Sequence, residues 1–305
     1  MILDIKSQLD LIHKIRNGTI KEGLALGIKS FDTYFRFKEE FGVFLGHSNV
    51  GKTHFCFYLM FLYSYRHGLR WLCYSSENEV YSNIKRIIEF KCGLPINKID
   101  EDELEKESKW VDSHFKFIAI DDIQTYKTLL DLGAEIKKSW DYNGFFIDPY
   151  NSLAKDRELY RSVGGHEYDY TVCSEFRLFC HKHKVALWLT THAVTEALRK
   201  VHPAQHEYAG YPVCPKFSDC EGGGKFSNRP NFFCSIHRMV QHPLDWMITE
   251  MHVLKIKDTS TGGMPTSFLS PIRMRSVINN VGYSIEGEDM IGLIDEHTGE
   301  SIQKT

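Results

Sequence analysis

Eight consecutive residues, Gly46-His47-Ser48-Asn49-Val50-Gly51-Lys52-Thr53, fit the pattern G-x-x-x-x-G-K-[ST], and an apolar run from Phe41 to Leu45 stands directly before them. Such a run reads as a buried strand, so the octapeptide is expected to form the turn between a strand and a helix. Phosphate binding needs that placement. Glycines let backbone N–H groups curl around an anion, and the amino end of the next helix adds the positive end of its dipole. Lys52 then reaches the terminal phosphates of a nucleotide, and the Thr53 hydroxyl faces a Mg²⁺ ion. A chain with this motif is held to folds that end a core strand in a phosphate-binding turn.

From Phe41 onward, strand-like runs at Phe41–Leu45, Trp71–Ser75, Phe115–Ile120, Gly144–Ile147 and Val185–Thr190 alternate with helix-length segments. Alternation of this kind implies crossover connections, hence an α/β fold with a mostly parallel central sheet covered by helices on both faces. Ligands of such sheets bind beyond the carboxyl ends of the strands. After His192 the chain turns to loops rich in Gly, Pro, Cys and His, followed by later strands near Met251 to Lys257. At the other end Ile2, Ile5, Leu9 and Ile12 recur at helical spacing, and Gly18 is placed to stop that helix. Residues 1–22 are therefore expected to form a short N-terminal helix, and 23–305 the main domain, with Gly23 to Ser30 a linker candidate. The apolar stripe needs a cover, either its own domain or a neighbouring subunit.

With 42% hydrophobic residues in 305, the chain can bury one large core. Its longest strongly apolar stretch, Phe55 to Tyr63, is too short to span a bilayer, and charges stand where a signal peptide keeps an apolar region. A soluble, cytoplasmic protein is expected. Eight scattered cysteines read as reduced thiols packed like small apolar residues. A net charge of −3 argues against a protein that coats nucleic acid nonspecifically, yet leaves room for a local basic channel. The acidic run from Asp100 to Ser108 reads as a solvated helix face. His202, His206, Cys214, Cys220, Cys234 and His237 crowd one window, but no pair has the tight C-x-x-C spacing of a zinc site.

Hydrolysis asks for more than a phosphate loop: an acid near Mg²⁺, a group that activates water, and a sensor of the terminal phosphate. Asp148 follows the apolar run Gly144 to Ile147 and suits the first role, holding Mg²⁺ through water. Asp121 and Asp122 follow another apolar run and compete for it, with a turn or helix cap as their simpler reading. Because Pro149 follows Asp148, no second carboxylate stands adjacent to it. The run Trp71 to Ser75 leads into Ser76-Glu77-Asn78-Glu79, which makes Glu77 the candidate general base and Glu79 its alternative. His192, after Val185 to Thr191, is placed to hydrogen-bond a γ-phosphate.

With these residues in view, the chain resembles the RecA-like motor domain of ring-shaped replicative helicases, the DnaB type and especially the Twinkle and phage primase-helicase branch. The resemblance runs from about Gly23 to Met264. It is carried by Ser75 to Glu79, Phe146 to Asn151, Thr191-His192 and the stretch Glu221 to Pro230. It implies ATP and Mg²⁺ as cofactors, Glu77 as catalytic glutamate, Asp148 with Thr53 at the metal, and His192 as phosphate sensor. It also implies a DNA-binding loop at Gly222, Gly223, Gly224, Lys225, Asn228 and Arg229, whose glycine N–H groups and cations suit sequence-independent grip on phosphates. Arg238 resembles a residue that stacks near the nucleotide base. Family members complete the active site from the adjacent subunit with a Lys-x-Arg pair; here Lys255-Ile256-Lys257 puts lysine in the arginine's place, which supplies charge without a two-pronged donor. Arg273 and Arg275 are further candidates for that contact. By the same resemblance the partners are single-stranded DNA, identical subunits in a hexameric ring, and a separate primase or other replisome protein. The N-terminal stripe would be the helix that docks on the next subunit, and a motor of this kind would suit a phage or other mobile element.

The leading expectation is thus an ATP-driven helicase motor translocating on single-stranded DNA. A RecA-like ATPase that does not unwind, either a recombination filament protein or a regulatory switch, is the alternative. Glu77 and His192 are compatible with both.

Overall fold

Apolar residues that alternate along a strand must be covered on two faces, and this requirement organises the molecule. The structure, a computed structural model, describes residues 4–19, 23–119, 122–221 and 224–298. In chain order its elements are α1 (Ile5–Arg16), α2 (Lys29–Asp32), β1 (Phe41–Gly46), α3 (Lys52–His67), β2 (Trp71–Ser75), α4 (Val80–Cys92), α5 (Glu101–His114), β3 (Phe115–Phe117), α6 (Tyr126–Ser139) and β4 (Gly144–Asp148). There follow α7 (Arg157–His183), β5 (Ala186–His192), α8 (Gly224–Asn228), β6 (Phe232–Arg238), β7 (Ile248–Ile256), β8 (Ile272–Ser276), β9 (Tyr283–Ile285), β10 (Glu288–Asp289) and α9 (Met290–Thr298). The strands form one sheet in the order β10-β9-β8-β7-β6-β1-β5-β4-β2-β3. From β6 through β3 all neighbours are parallel, and from β6 outward to β10 they are antiparallel.

The two faces bury separate cores. Phe44, Trp71, Cys73, Phe146 and Trp188 point to the face shared with α3 and α4. Their strand neighbours Phe41, Val43, Leu45, Leu72, Phe145, Ile147, Leu187 and Leu189 point to the face shared with α6 and α7. Trp71 and Trp188 lie 4.6 Å apart between ring centres. Gly144 leaves the space that the Trp71 ring fills, since a Cβ there would stand 2.3 Å from it.

Two expectations from the sequence change. Gly23 to Ser30 is no linker: Leu24 bridges Phe37, Leu26 and Ile28 are buried, and the Asp32 carboxylate accepts from the N–H groups of Leu26 and Gly27 at 2.7 Å each. These contacts tie the segment to the core. The run Phe115–Ile120 yields a strand only to Phe117, because β3 is an edge with a partner, β2, on one side alone. Ile120 and Asp121 lie outside the described residues.

Helix α1 begins at Asp4, whose side chain accepts from the Lys6 N–H, and gives way after Asn17 to Gly18 in the left-handed region. Ile5, Leu9 and Ile12 on it are exposed, so the other described residues do not cover them, and Ile2 lies outside the described residues. The acidic run forms α5, capped by Asp100 and solvated except at Glu107, which pairs with Lys91 at 3.1 Å. No helix among the described residues is long and apolar enough to cross a membrane.

Candidate active site

The turn between β1 and α3 is built by backbone conformations that only some residues accept. Gly51 has φ 88° and Asn49 φ 63°. At Gly46 a Cβ would stand 2.6 Å from the Ile236 carbonyl oxygen on β6, so the loop leaves the sheet where no side chain fits. Ser48 and Asn49 are exposed at the tip, and Val50 is buried. His47 is buried too, with its ring 6.1 Å from that of His237, and burial lowers its pKa. Its imidazole therefore supports the loop from behind and stays neutral.

Lys52 opens α3 and is buried. Its Nζ donates to the carbonyl oxygens of Gly46 (3.2 Å) and His47 (2.8 Å) and lies 3.2 Å from His192 Nδ1. Burial pulls its pKa down, with Asp148 and Glu77 opposing. His192 Nε2 is 3.3 Å from Glu77 Oε1. One tautomer serves both contacts: Nδ1 accepts from the lysine, and the proton on Nε2 is donated to Glu77. Three residues named from separate strand ends thus form one chain, Lys52–His192–Glu77. Glu79 stands at the amino cap of α4 instead, without a side-chain hydrogen bond to that helix.

Asp148 ends β4 and is 1% exposed. Its carboxylate accepts from Thr53 Oγ1 (3.1 and 3.0 Å), Ser75 Oγ (3.1 Å) and Thr190 Oγ1 (2.5 Å). Burial raises its pKa, and those three hydroxyls pull the other way. Asp122, by contrast, is exposed. Ser75 and Thr190 were not singled out by the sequence reading. The signal for them is register: Ser75 pairs with Asp148 across β2 and β4, and Thr190 follows Leu189, the partner of Ile147. A carboxylate ringed by hydroxyl oxygens is a donor set suited to a hard cation such as Mg²⁺, which takes one or two carboxylates and completes its shell with water and phosphate. Thr53 and Asp148 would hold it. Among the described residues no three His, Cys, Asp or Glu side chains converge as a metal-ligating group. In the histidine and cysteine window, His202 stacks on His206, Cys214, Cys220 and Cys234 are buried, and His237 Nε2 donates to the Pro212 carbonyl at 3.0 Å.

Arg238 ends β6 beside the phosphate loop, its Nη1 3.8 Å from where a Cβ on Gly51 would be. It lines an open groove of about 640 Å³ with Gly51, His54, Arg86, Asn279 and Asn280. Sequence reasoning found only Arg238 of the outer wall, since the rest come from loops and a helix remote in the chain.

Lys257 lies at the far edge of the sheet. It follows β7, whose Ile256 pairs with Phe232, which in turn pairs with Gly42 at the start of β1. The six residues of β1 separate that level from the phosphate loop by about 20 Å at roughly 3.3 Å per residue, beyond a lysine's reach. Lys257 Nζ donates to the Arg229 carbonyl (2.9 Å), and Lys255 Nζ to those of Ser227 (2.7 Å) and Asn228 (3.1 Å). Burial and the nearby cations Lys257 and Arg177 bring Lys255 down to about 8. The two lysines thus close the carboxyl end of α8. Of the expected DNA loop, Gly222 and Gly223 lie outside the described residues, while Gly224 and Lys225 open α8. Asn228 is exposed, and the Arg229 guanidinium lies 4.0 Å over the Tyr170 ring. Arg273 is engaged within the chain by Glu250 (2.9 Å), and Arg275 is 4.0 Å from Asp245.

No protein-family model and no curated protein matches the sequence. Solved structures do match the fold. The ATPase domain of one DnaB-like helicase superposes with a TM-score of 0.71 at 12% identity, over 93% of this chain and 99% of that one. A DnaB-like replicative helicase, studied with its interactions with primase, superposes with a TM-score of 0.68 at 12% identity, over 93% of this chain and 67% of that one. The chain therefore has the mixed α/β, RecA-like fold of the ATPase domains of DnaB-like helicases.

Proposed function

We propose that this protein is an ATP-hydrolysing motor of the ring-helicase type that moves along single-stranded DNA. The observation that carries the reading is the convergence of Lys52, His192, Asp148 and Glu77 at the carboxyl ends of four neighbouring parallel strands, β1, β5, β4 and β2. A terminal phosphate entering the loop competes for Lys52 with the carbonyls of Gly46 and His47, which hold it in the loop. Glu77 is half-exposed, so water reaches it, and its carboxylate accepts a proton from the attacking water. His192, between Lys52 and Glu77, is placed to donate to the γ-phosphate and to lose that partner when phosphate leaves. Mg²⁺ at Thr53 and Asp148 supplies electrostatic stabilisation of the charge that develops on the phosphoryl oxygens.

The far-edge position of Lys257 favours a shared site, in which it serves the phosphate loop of the next subunit and α1 docks on a neighbour. A hexameric ring, a separate primase and a cytoplasmic setting belong to the same reading.

Steady-state ATP hydrolysis with and without single-stranded DNA tests it. DNA should stimulate turnover. Lys52→Ala should abolish it with the fold intact, and Glu77→Ala should lower it by about 10²–10⁴-fold with nucleotide binding retained. Full activity in Lys52→Ala sinks the site, and turnover indifferent to DNA favours a regulatory ATPase that does not unwind.

A further inference from the structure

Asn151 makes three hydrogen bonds that the hydrolytic reading does not use. Its Oδ1 accepts from the backbone N–H of His192 (2.9 Å) and from Thr191 Oγ1 (3.0 Å), and its Nδ2 donates to Glu221 Oε2 (2.5 Å). Glu221 returns to the same place, its N–H donating to the His192 carbonyl at 3.2 Å. His192 is therefore gripped on both sides of its main chain, by Asn151 and by Glu221, while its ring meets Lys52 and Glu77. One residue presents its side chain to the nucleotide and its backbone to the stretch that begins at Glu221.

That stretch runs from the active-site edge of the sheet to the opposite edge. It starts at Glu221 beside His192, passes through α8, and ends where the Asn231 N–H donates to the Phe41 carbonyl at the start of β1. The turn that carries Asn151 touches it a second time, through Tyr150, whose ring centre is 5.1 Å from that of the buried Phe226 on α8. Tyr150 is itself fixed by its hydroxyl, which donates to Asp169 on α7 at 2.7 Å. A displacement of His192 toward or away from a γ-phosphate must change its N–H bond to Asn151, and Asn151 passes the change to Glu221.

We propose that Asn151 is a positioning residue that couples His192 to the segment 221–229, so that the state of the nucleotide and the grip on a strand change together. This rests on the motor reading above. The amide is suited to the task because it accepts from β5 and donates to a carboxylate at once. An aspartate keeps the two accepted bonds and sets a like charge against Glu221. A merely structural tie to β5 tolerates that change, and a coupling does not.

The test uses the full chain and a fluorescent oligothymidine. Two quantities are read: the ratio of ATP turnover with and without the oligonucleotide, and the change in its affinity between an ATP analogue and ADP. Coupling free energies correspond to about fivefold or more, and linkage makes the two affinities change together. Asn151→Asp and Glu221→Ala should each reduce the stimulation ratio by about fivefold or more and flatten the nucleotide dependence of affinity, with thermal unfolding little changed. The double variant Asn151→Ala/Glu221→Ala should lose no more than the single variants, because they break one connection. Wild-type stimulation in Asn151→Asp, or losses that multiply in the double variant, overturn the coupling and leave the motor reading standing. Wild-type protein that ignores the oligonucleotide overturns the motor reading, and the coupling with it.

Discussion

His237 sits at the end of β6 with its ring packed near His47 and is 2% exposed, so a charge on it has little solvent to stabilise it. Burial lowers its pKa to about 4; Glu250 opposes the shift, and His252 and His47 add to it. The sign follows from linkage. Below the ordinary histidine value near 6.5 the unfolded chain takes up a proton that the folded chain refuses, so stability is complete above that value and declines as pH falls toward 4. The slope from this one group approaches about 1.4 kcal/mol per pH unit. Burial pushes Glu250 up, but His252 and Arg273 outweigh it and hold the carboxyl at about 2, so this group contributes in a lower window, below its ordinary value. Thermal unfolding between pH 7 and 5 should therefore show falling stability, and His237→Gln a shallower slope; an unchanged slope places the titration elsewhere. Residues of this kind were hard to read from sequence. Phosphate-loop residues announce themselves by spacing, whereas Thr190, Ser75 and Asn151 are ordinary polar residues until strand register sets them against Asp148 and His192.

The parallel strands were legible because each is a short apolar run between helical segments, and both faces need cover. What the pattern could not give is where a strand stops for lack of a partner, as β3 does, or that the polar-looking segment after Gly23 is pinned by Asp32. Close packing between β1 and β6 offers a test. Gly42 faces Phe232, whose ring atoms would lie 1.9 Å from an added Cβ. Gly42→Ala should destabilise the protein by roughly 1–3 kcal/mol, the usual cost of overpacking, and Gly42→Ala with Phe232→Leu should recover part of it. Chemical denaturation checks both. A neutral Gly42→Ala contradicts this account of how β6 is seated against β1.

For the molecule as a whole, Lys257 and Glu77 belong to opposite edges of the sheet, so in the proposed ring each site draws Glu77 from one subunit and Lys257 from the next. Lys257→Ala and Glu77→Ala proteins should each be nearly inactive, yet a mixture that exchanges subunits should regain turnover at about one quarter of its interfaces by random pairing. Turnover no higher than the sum of the two separate proteins rules out the shared site. By itself, the sequence determined the parallel α/β core, the phosphate loop, and the candidates Asp148, Glu77 and His192. Those depend on local patterns: apolar period, glycine placement, and an acid or imidazole where a strand ends. Only the tertiary structure decided which of these meet, because Lys52, His192 and Glu77 come from three segments that are joined by the order of strands in the sheet. It also decided that Asn151 lies between His192 and Glu221, and that Lys257 lies beyond reach of its own phosphate loop. Distances of that sort are set by strand order and register, which a single chain of letters does not contain.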